Sequence, residues 1–243
     1  MIVHTSMHPA WRSNTYLVAD APGGTAVFID AGAPIEPLMA KVAELQVHVT
    51  HILITHEHQD HMMHIMSLEE RYGATLVLPE GINEGFVVRA GALSFRAMLT
   101  PGHCLPHLTW IVQDESGTAL AAFTGDTLFR GSVGGTVGGG PDGLEQLRGS
   151  IDRILALPSE TTIFPGHMEP TTVAKELADN PFVRAWSGEV KPSGTQVRVA
   201  GQEAMLLLEG PDYDGGTKVW VRFHDGREAV VGGNMVSRAG VRA

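Results

Sequence analysis

Histidines are concentrated in one short part of this 243-residue chain, and the densest stretch is residues 55–61, which read THEHQDH. One residue separates His56 from His58, so an extended or turning backbone can direct both imidazoles at a single ion. Asp60 and His61 follow on the same loop and can serve a neighbouring position. Imidazole nitrogen and carboxylate oxygen are ligand atoms that zinc and similar metal ions accept. The spacing therefore predicts a metal site.

Three later residues stand in similar surroundings. His103 follows the residues TPG, Asp126 follows TG and His167 follows PG. Each comes after a predicted strand, with a glycine beside it. In α/β proteins the loops at the carboxyl ends of strands build the functional site. We therefore expect these three side chains to meet the four donors of residues 55–61.

Other candidates nearby are assigned no ligand role. We interpret five further histidines as structural residues or as hydrogen-bonding partners of a ligand; these are His48, His51, His64, His107 and His224. Cys104, the single cysteine, adjoins His103 and is interpreted as a small buried residue.

The elements that must carry the donors are strands and helices in the first three quarters of the chain. The apolar patterns predict a hairpin of residues 14–18 and 25–29, and further strands at residues 49–54, 74–78, 93–99, 108–112 and 119–123. A helix is predicted up to Leu45, with Pro34 at its first position. A second helix is predicted over residues 144–155, with a capping box at Asp142 and Glu145.

The pattern changes after about Trp186. Short strands are predicted at residues 195–199, 203–208, 218–223 and 228–231, separated by turns that read PDYDGG and HDG. We predict a main domain of residues 1–188 and a small β-rich domain, a barrel or a sheet, of residues 189–243. A unit of this size is expected to pack against the main body or a second subunit, so a homo-oligomer is one expected arrangement.

Composition excludes several classes of partner. The chain has 17 Lys and Arg against 27 Asp and Glu, a formal charge of −10, and no basic run for nucleic acid to contact. No apolar stretch approaches the ~20 residues that cross a bilayer. The single cysteine and an N-terminus without a basic, apolar leader indicate a cytoplasmic protein.

The order of these motifs resembles the metallo-β-lactamase superfamily, over roughly residues 2–188. The resemblance implies an α/β fold, an αββα sandwich with the site at one edge of its two sheets, here extended by the β-rich, barrel-like C-terminal part. The segments GDTLF, residues 125–129, and PGH, residues 165–167, are most similar to hydroxyacylglutathione hydrolase (glyoxalase II) and persulfide dioxygenases.

The resemblance also implies the roles of the residues. His56, His58 and His103 would hold the first of two divalent ions. Asp60, His61 and His167 would hold the second, and Asp126 would bridge them. The implied metal is zinc, with iron or manganese as alternatives.

The implied reaction is hydrolysis. Two close cations lower the pKa of water to near neutrality and polarise a carbonyl. Hydroxide would then attack the carbonyl of a thioester or ester of a small acid. Asp60 and Asp126 are the predicted catalytic residues, Asp60 because it can orient the hydroxide and Asp126 as the bridge.

Three alternatives stay open. In persulfide dioxygenases a single iron is held by a subset of this shell, here His56, His103 and Asp126. A lactonase-type hydrolase is the second alternative. A partner-binding protein would use the C-terminal β-rich part for recognition.

The chain departs from glyoxalase II where glutathione is held. Gly135 stands where relatives carry a basic residue, and the β-rich segment replaces their helical C-terminal domain. Arg130 and Arg148 are the cations we consider as substitutes.

Overall fold

The computed structural model describes residues 1–238 of the chain. In this part the strands are β1 (Ile2–Met7), β2 (Asn14–Ala19), β3 (Thr25–Ile29), β4 (His48–Leu53), β5 (Thr75–Val77), β6 (Val87–Ala90), β7 (Leu93–Leu99), β8 (Leu108–Gln113), β9 (Ala119–Gly125), β10 (Leu128–Phe129), β11 (Ser132–Val133), β12 (Thr162–Pro165), β13 (Thr171–Thr172), β14 (Thr195–Val199), β15 (Gln202–Pro211), β16 (Thr217–Phe223), β17 (Glu228–Gly232) and β18 (Val236–Arg238). The α-helices are α1 (Glu36–Leu45), α2 (Gln59–Met62), α3 (Ile65–Tyr72), α4 (Gly143–Leu155), α5 (Val173–Asp179) and α6 (Pro181–Trp186). None of these helices is long and apolar enough to cross a membrane.

Two sheets pack face to face and form the centre of the main body. Their strand orders are β1-β2-β3-β4-β5 and β13-β12-β9-β8-β7-β6. Successive side chains of a strand point to opposite faces. Tyr16 of β2 therefore packs between the sheets against Phe123 of β9, with ring centroids 5.0 Å apart, whereas its neighbour Leu17 packs on the outer face with Leu38 of α1.

Helices cover both outer faces. The outer side of the first sheet is buried by α1 and α3, and that of the second by α4, whose Leu147, Ile151 and Ile154 contact Ile111 and Ala122. Because both faces of each sheet are covered, β2 is buried along its whole length. The predicted αββα sandwich is confirmed.

Parallel pairs bring the ends of several strands to one edge. β3 pairs with β4, and β9 with β12, both in parallel. A parallel pair needs a crossover connection, which α1 supplies between β3 and β4 and α4 supplies between β9 and β12. The carboxyl ends of these strands consequently open onto the same edge of the sandwich.

Two local predictions about helix starts are wrong. Helix α1 begins at Glu36 after Ile35, with a proline at its second position; Pro34 instead lies in the connection, where its carbonyl accepts a hydrogen bond from Ser6 Oγ at 2.6 Å. Asp142 precedes α4 but makes no side-chain cap, because its φ of −97° and ψ of 10° lie outside the extended region that such a cap needs.

The C-terminal strands form a third sheet, ordered β17-β16-β15-β14-β18. Within residues 1–238 this sheet is open, so the expected barrel-like form is wrong. The sheet does not close because the outer edge of β17 forms hydrogen bonds with the main body. Thr136 N–H donates to the Val230 carbonyl and Val230 N–H donates to Thr136 Oγ1, both at 2.9 Å. Leu207 and Trp220 of this sheet also pack into the core around α4. The division of the chain at residue 188 stays a prediction.

A buried carboxylate fixes the loop between β10 and β11. Glu176 of α5 accepts hydrogen bonds from Thr171 Oγ1 at 2.6 Å, Gly131 N–H at 2.9 Å and Asn180 Nδ2 at 2.8 Å. Removing the acceptor would leave the Thr171 hydroxyl and one Asn180 Nδ2 hydrogen buried without a partner, each costing about 1–3 kcal/mol, and would also free the half-buried Gly131 N–H.

We expect Glu176→Ala to lower the free energy of unfolding by about 3 kcal/mol, measured by urea titration. Asp179→Ala is the matched control on the same helix. It removes the exposed ion pair to Lys175, which is worth at most about 1 kcal/mol. Equal losses for the two variants would contradict the role given to Glu176.

Candidate metal centre

All seven predicted donors lie at the edge where the strand ends meet. Residues 55–61 leave the end of β4 and enter α2 at Gln59. Asp126 comes directly after β9, and His167 follows β12 by two residues. His103 lies on the loop between β7 and β8. Each of these side chains therefore lies within four residues of the end of a strand or the start of a helix.

The first group of donors contains three imidazoles, those of His56, His58 and His103. His58 Nδ1 lies 3.0 Å from His56 Nε2 and 3.1 Å from His103 Nε2. The ligand atoms of this group, together with Cys104 Sγ, lie within 4.8 Å of one another. Three ring nitrogens that converge in this way fit a shared cation.

The second group contains one carboxylate and two imidazoles. Asp60 Oδ2 lies 3.6 Å from His61 Nε2 and 3.6 Å from His167 Nε2. His61 and His167 are buried, and Asp60 is half-buried. The mixture of oxygen and nitrogen donors again suits a divalent ion.

Asp126 lies between the two groups. Its Oδ2 is 3.6 Å from His103 Nε2 and 3.3 Å from His167 Nε2, and its Oδ1 is 3.4 Å from His61 Nε2. His56 Nε2 is 3.9 Å from Oδ2. One carboxylate thus faces imidazoles of both groups, which is the placement a bridging ligand needs.

Two buried atoms in the described residues indicate that this arrangement is built for cations. His61 Nε2 and Asp126 Oδ1 have no hydrogen-bond partner. Buried polar atoms are nearly always bonded, and one that is not requires an explanation. Both atoms point into the space between the donors, so metal ions there would satisfy them. The residues present fit such ions.

In His103 and His167, the hydrogen bond made by Nδ1 leaves Nε2 as the nitrogen that can bind a metal ion. His103 Nδ1 lies 2.8 Å from the Gly135 carbonyl, and His167 Nδ1 lies 3.0 Å from the Trp11 carbonyl. A carbonyl only accepts, so both Nδ1 atoms carry the proton and both Nε2 atoms keep a free lone pair. Gly135 therefore contributes its backbone oxygen to the orientation of His103.

Asp30 is a supporting residue that sequence reasoning missed. It follows β3 and its Oδ2 lies 2.9 Å from His61 Nδ1, while Thr55 N–H donates to Oδ1 at 2.8 Å and Thr55 Oγ1 donates to Oδ2 at 2.9 Å. This carboxylate holds the proton on His61 Nδ1 and turns Nε2 toward Asp126. Its place directly after a buried strand is the same signal that pointed to Asp126.

We expect Asp30→Asn to weaken metal binding about 10- to 100-fold, because the amide offers His61 a neutral partner in place of the carboxylate. Backbone strain is not a confounding factor, since Asn tolerates the positive φ of 56° found here. Zinc affinity is measured by competition with a chromophoric chelator. Asp20→Asn, which alters a carboxylate after β2 that bonds only backbone N–H groups, should bind as the parent does.

His107 supports the centre without facing the donors' shared space. It is buried and stacked on His56, with ring centroids 4.9 Å apart. Burial lowers its pKa to about 3, so the ring stays neutral. Its Nε2 accepts the N–H of Asp126 at 3.1 Å, while Nδ1 lies 2.9 Å from Thr100 Oγ1. His107 thereby fixes the backbone that presents Asp126.

The charges of the centre are mutually dependent. Burial alone raises the pKa of Asp126, but His167 and His61 outweigh it and hold the pKa well below its usual value. Burial opposes charge on His61, yet Asp126 and Asp30 raise its pKa well above normal. His56 has a pKa well below normal, chiefly because it is buried. A buried carboxylate that stays ionised is what metal ligation requires.

Three residues outside the predicted donor set bear on the candidate site. Tyr213, from the turn between β15 and β16, stacks on His167; no chemical motif marked it in the sequence. Burial raises the pKa of Cys104 to about 12. Arg148 lies over Trp186, 5.5 Å from the ring centroid, on the outer helical layer. Arg148 therefore does not substitute for the missing cation.

The sequence of this chain is similar to those of known metal-dependent proteins. Residues 8–84 match the family model described as metallo-beta-lactamase superfamily. A hydroxyacylglutathione hydrolase of Rhodopseudomonas palustris is 32% identical over 214 residues, covering 81% of this chain and 78% of the relative.

Two solved structures are similar to this chain in both sequence and fold. ETHE1 from Myxococcus xanthus is 30% identical with a TM-score of 0.66, covering 76% of this chain and 85% of that one. TTHA1623 in a di-iron-bound form is 30% identical with a TM-score of 0.60, covering 74% and 99%. The similarity thus extends over most of the main body.

Proposed function

This chain belongs to the metallo-β-lactamase superfamily, and from that premise we propose that it is a binuclear metal-dependent hydrolase of the glyoxalase II-like group, acting on a thioester or ester of a small acid. One observation carries the proposal: Asp126 faces imidazoles of two separate donor groups through its two oxygens. The likeness to a hydroxyacylglutathione hydrolase at 32% identity supports the substrate class.

The ligands we propose divide between two positions. His56, His58 and His103 would hold one ion, and Asp60, His61 and His167 the other, with Asp126 shared. We propose zinc as the metal. Divalent ions held there would supply Lewis acidity, which lowers the pKa of water and polarises a carbonyl group.

Asp60 is the residue best placed to accept a proton from the attacking water. Its side chain is 25% exposed, whereas that of Asp126 is 8% exposed. Asp60 Oδ2 faces His61 and His167, which leaves Oδ1 to accept a hydrogen bond from the attacking water and to orient it toward the substrate.

Burial of the remaining donors serves the same reaction. His56, His61 and His167 are at most 2% exposed, so solvent reaches the centre from the side of Asp60 and His58. Restricting water in this way strengthens the electrostatic contacts of the bound substrate. The scissile carbonyl would therefore approach from the open side.

A second candidate is a mononuclear iron persulfide dioxygenase. The observation that favours it is the likeness to ETHE1, at 30% identity over 85% of that chain. His56, His103 and Asp126 would then form a two-histidine, one-carboxylate iron site. The other donors would be free to position the substrate.

Metal analysis combined with two assays distinguishes the candidates. Protein purified without chelators is analysed for zinc, iron and manganese, and is then tested with S-lactoylglutathione, a small lactone panel and glutathione persulfide. We expect two zinc ions per chain with thioester cleavage. One iron per chain with oxygen uptake on the persulfide would instead establish the dioxygenase.

A further inference from the structure

The C-terminal sheet reaches the candidate metal centre through one turn. This turn, residues 212–216 between β15 and β16, is closed by hydrogen bonds from Asp212 N–H to the Gly216 carbonyl at 3.0 Å and from Gly215 N–H to the Asp212 carbonyl at 3.2 Å. Asp214 Oδ1 accepts Gly216 N–H at 2.7 Å. The turn is therefore a defined structure that can hold a side chain in place.

Tyr213 is the side chain that this turn presents. Its ring stacks on His167, with centroids 3.9 Å apart and planes inclined by 13°, and it meets the edge of Phe129 at 5.2 Å. Phe129 also contacts His167 edge-on, at 5.6 Å. The imidazole is thus held by two aromatic rings and by the Trp11 carbonyl on Nδ1, while its Nε2 faces Asp126 and Asp60.

Charged side chains of neighbouring elements hold Tyr213 and its turn in place. Lys218 of β16 and Asp212 form an ion pair of 2.9 Å, with side chains only 8% and 7% exposed. Lys218 Nζ also lies 5.3 Å from the centroid of the Tyr213 ring, within range of a cation–π contact. Arg12 Nη1 donates to the Tyr213 carbonyl at 3.5 Å. These contacts tie the turn to both the C-terminal sheet and the segment that carries Trp11.

We propose that Tyr213 is a positioning residue of the metal centre, and that the C-terminal sheet completes this centre by clamping His167 with the stacked ring of Tyr213, while Phe129 contacts both rings edge-on. This inference rests on the ligand role proposed for His167. It assigns the C-terminal sheet to the site of the main body, where sequence reasoning considered a separate partner-binding surface. A ring that cannot tilt keeps its lone pair aimed at the ion, so loss of the stack lowers affinity at that position.

The test measures zinc binding to the full chain after metal removal, by competition with a chromophoric chelator. We expect Tyr213→Leu to weaken one of the two zinc equivalents by about tenfold or more, the scale seen when support of a ligand is lost. Tyr213→Phe keeps the ring and should recover most of that loss. Phe223→Leu removes an aromatic residue at the far end of β16, one that packs on Arg227, and should bind both equivalents as the parent does.

His167→Ala identifies which equivalent is affected and separates the two hypotheses. If His167→Ala loses the same equivalent that Tyr213→Leu weakens, and Phe restores it, the clamp is supported. If His167→Ala loses it while Tyr213→Leu binds normally, the clamp is overturned and the ligand assignment stands. If His167→Ala binds both equivalents, the ligand assignment itself fails. Should the leucine variant not fold, Tyr213→Met provides the same comparison, and normal binding by that variant also overturns the clamp.

Discussion

Replacing Asp126 by alanine is expected to abolish measurable turnover and, for the proposed two-metal centre, to reduce bound metal from two ions per chain to at most one. Asp126 is the carboxylate that faces both donor groups, with His61, His103 and His167 within 3.6 Å of its oxygens. Its loss leaves buried imidazoles without the negative charge that balances a cation. We expect kcat/KM to fall at least 1,000-fold, which corresponds to about 4 kcal/mol.

Asp126→Asn distinguishes charge from shape in the same experiment. The amide keeps the volume of the carboxylate, so a loss as large as that of the alanine variant assigns the effect to the charge. Asp114→Ala is the control, since this carboxylate caps the exposed turn between β8 and β9. Metal content is measured by elemental analysis of chelator-free protein. Two bound ions with normal turnover in Asp126→Ala would refute the bridging role.

The convergence of the seven candidate donors was predictable because each lies close to a local feature of the sequence. An apolar run that ends in a polar residue beside glycine marks the end of a buried strand, as at Asp126 and His167. Parallel pairing then brings such ends to one edge, although the residues are far apart in the chain. Local patterning and one rule of sheet topology are sufficient to collect the donors.

The supporting residues depended on contacts that no local pattern encodes. Trp11 meets His167 across 156 positions of the chain, through a backbone carbonyl that any residue type would provide. Tyr213 reaches the same ring from a separate sheet, and its turn reads in the sequence only as a turn. Asp30 is intermediate, because its place after β3 is a local signal, whereas its contact with His61 requires the packed fold.

Errors in the fold have the same origin. The capping box at Asp142 satisfies the sequence pattern, but the backbone that enters α4 does not adopt the required angles. The C-terminal strands alternate as a barrel would, yet β17 bonds Thr136 of the main body instead of closing on β18. In both cases tertiary contacts determined the outcome over a local preference.

Gly166 is the position where a single added methyl group is expected to have the second largest effect. The residue lies between β12 and His167, and its backbone is held on both sides: its N–H donates to the Gly125 carbonyl at 2.8 Å, and its carbonyl accepts Asn14 N–H at 2.7 Å. A Cβ atom here would overlap with Asp126 Oδ1 and lie 2.9 Å from His61 Cε1. The backbone cannot retreat without breaking these hydrogen bonds.

We therefore expect Gly166→Ala to displace the Asp126 carboxylate, to lower kcat/KM about 100-fold, equivalent to about 3 kcal/mol, and to lose one bound ion. Overpacking should also destabilise the metal-free protein by about 1–3 kcal/mol. Gly149→Ala is the matched control, because a Cβ on this exposed face of α4 meets nothing within 4 Å; there we expect a gain of up to about 1 kcal/mol. The added methyl group is chemically inert, so any loss reflects the displacement of Asp126. A Gly166→Ala protein that keeps both ions and full activity would contradict the claim that Asp126 must lie between the two donor groups.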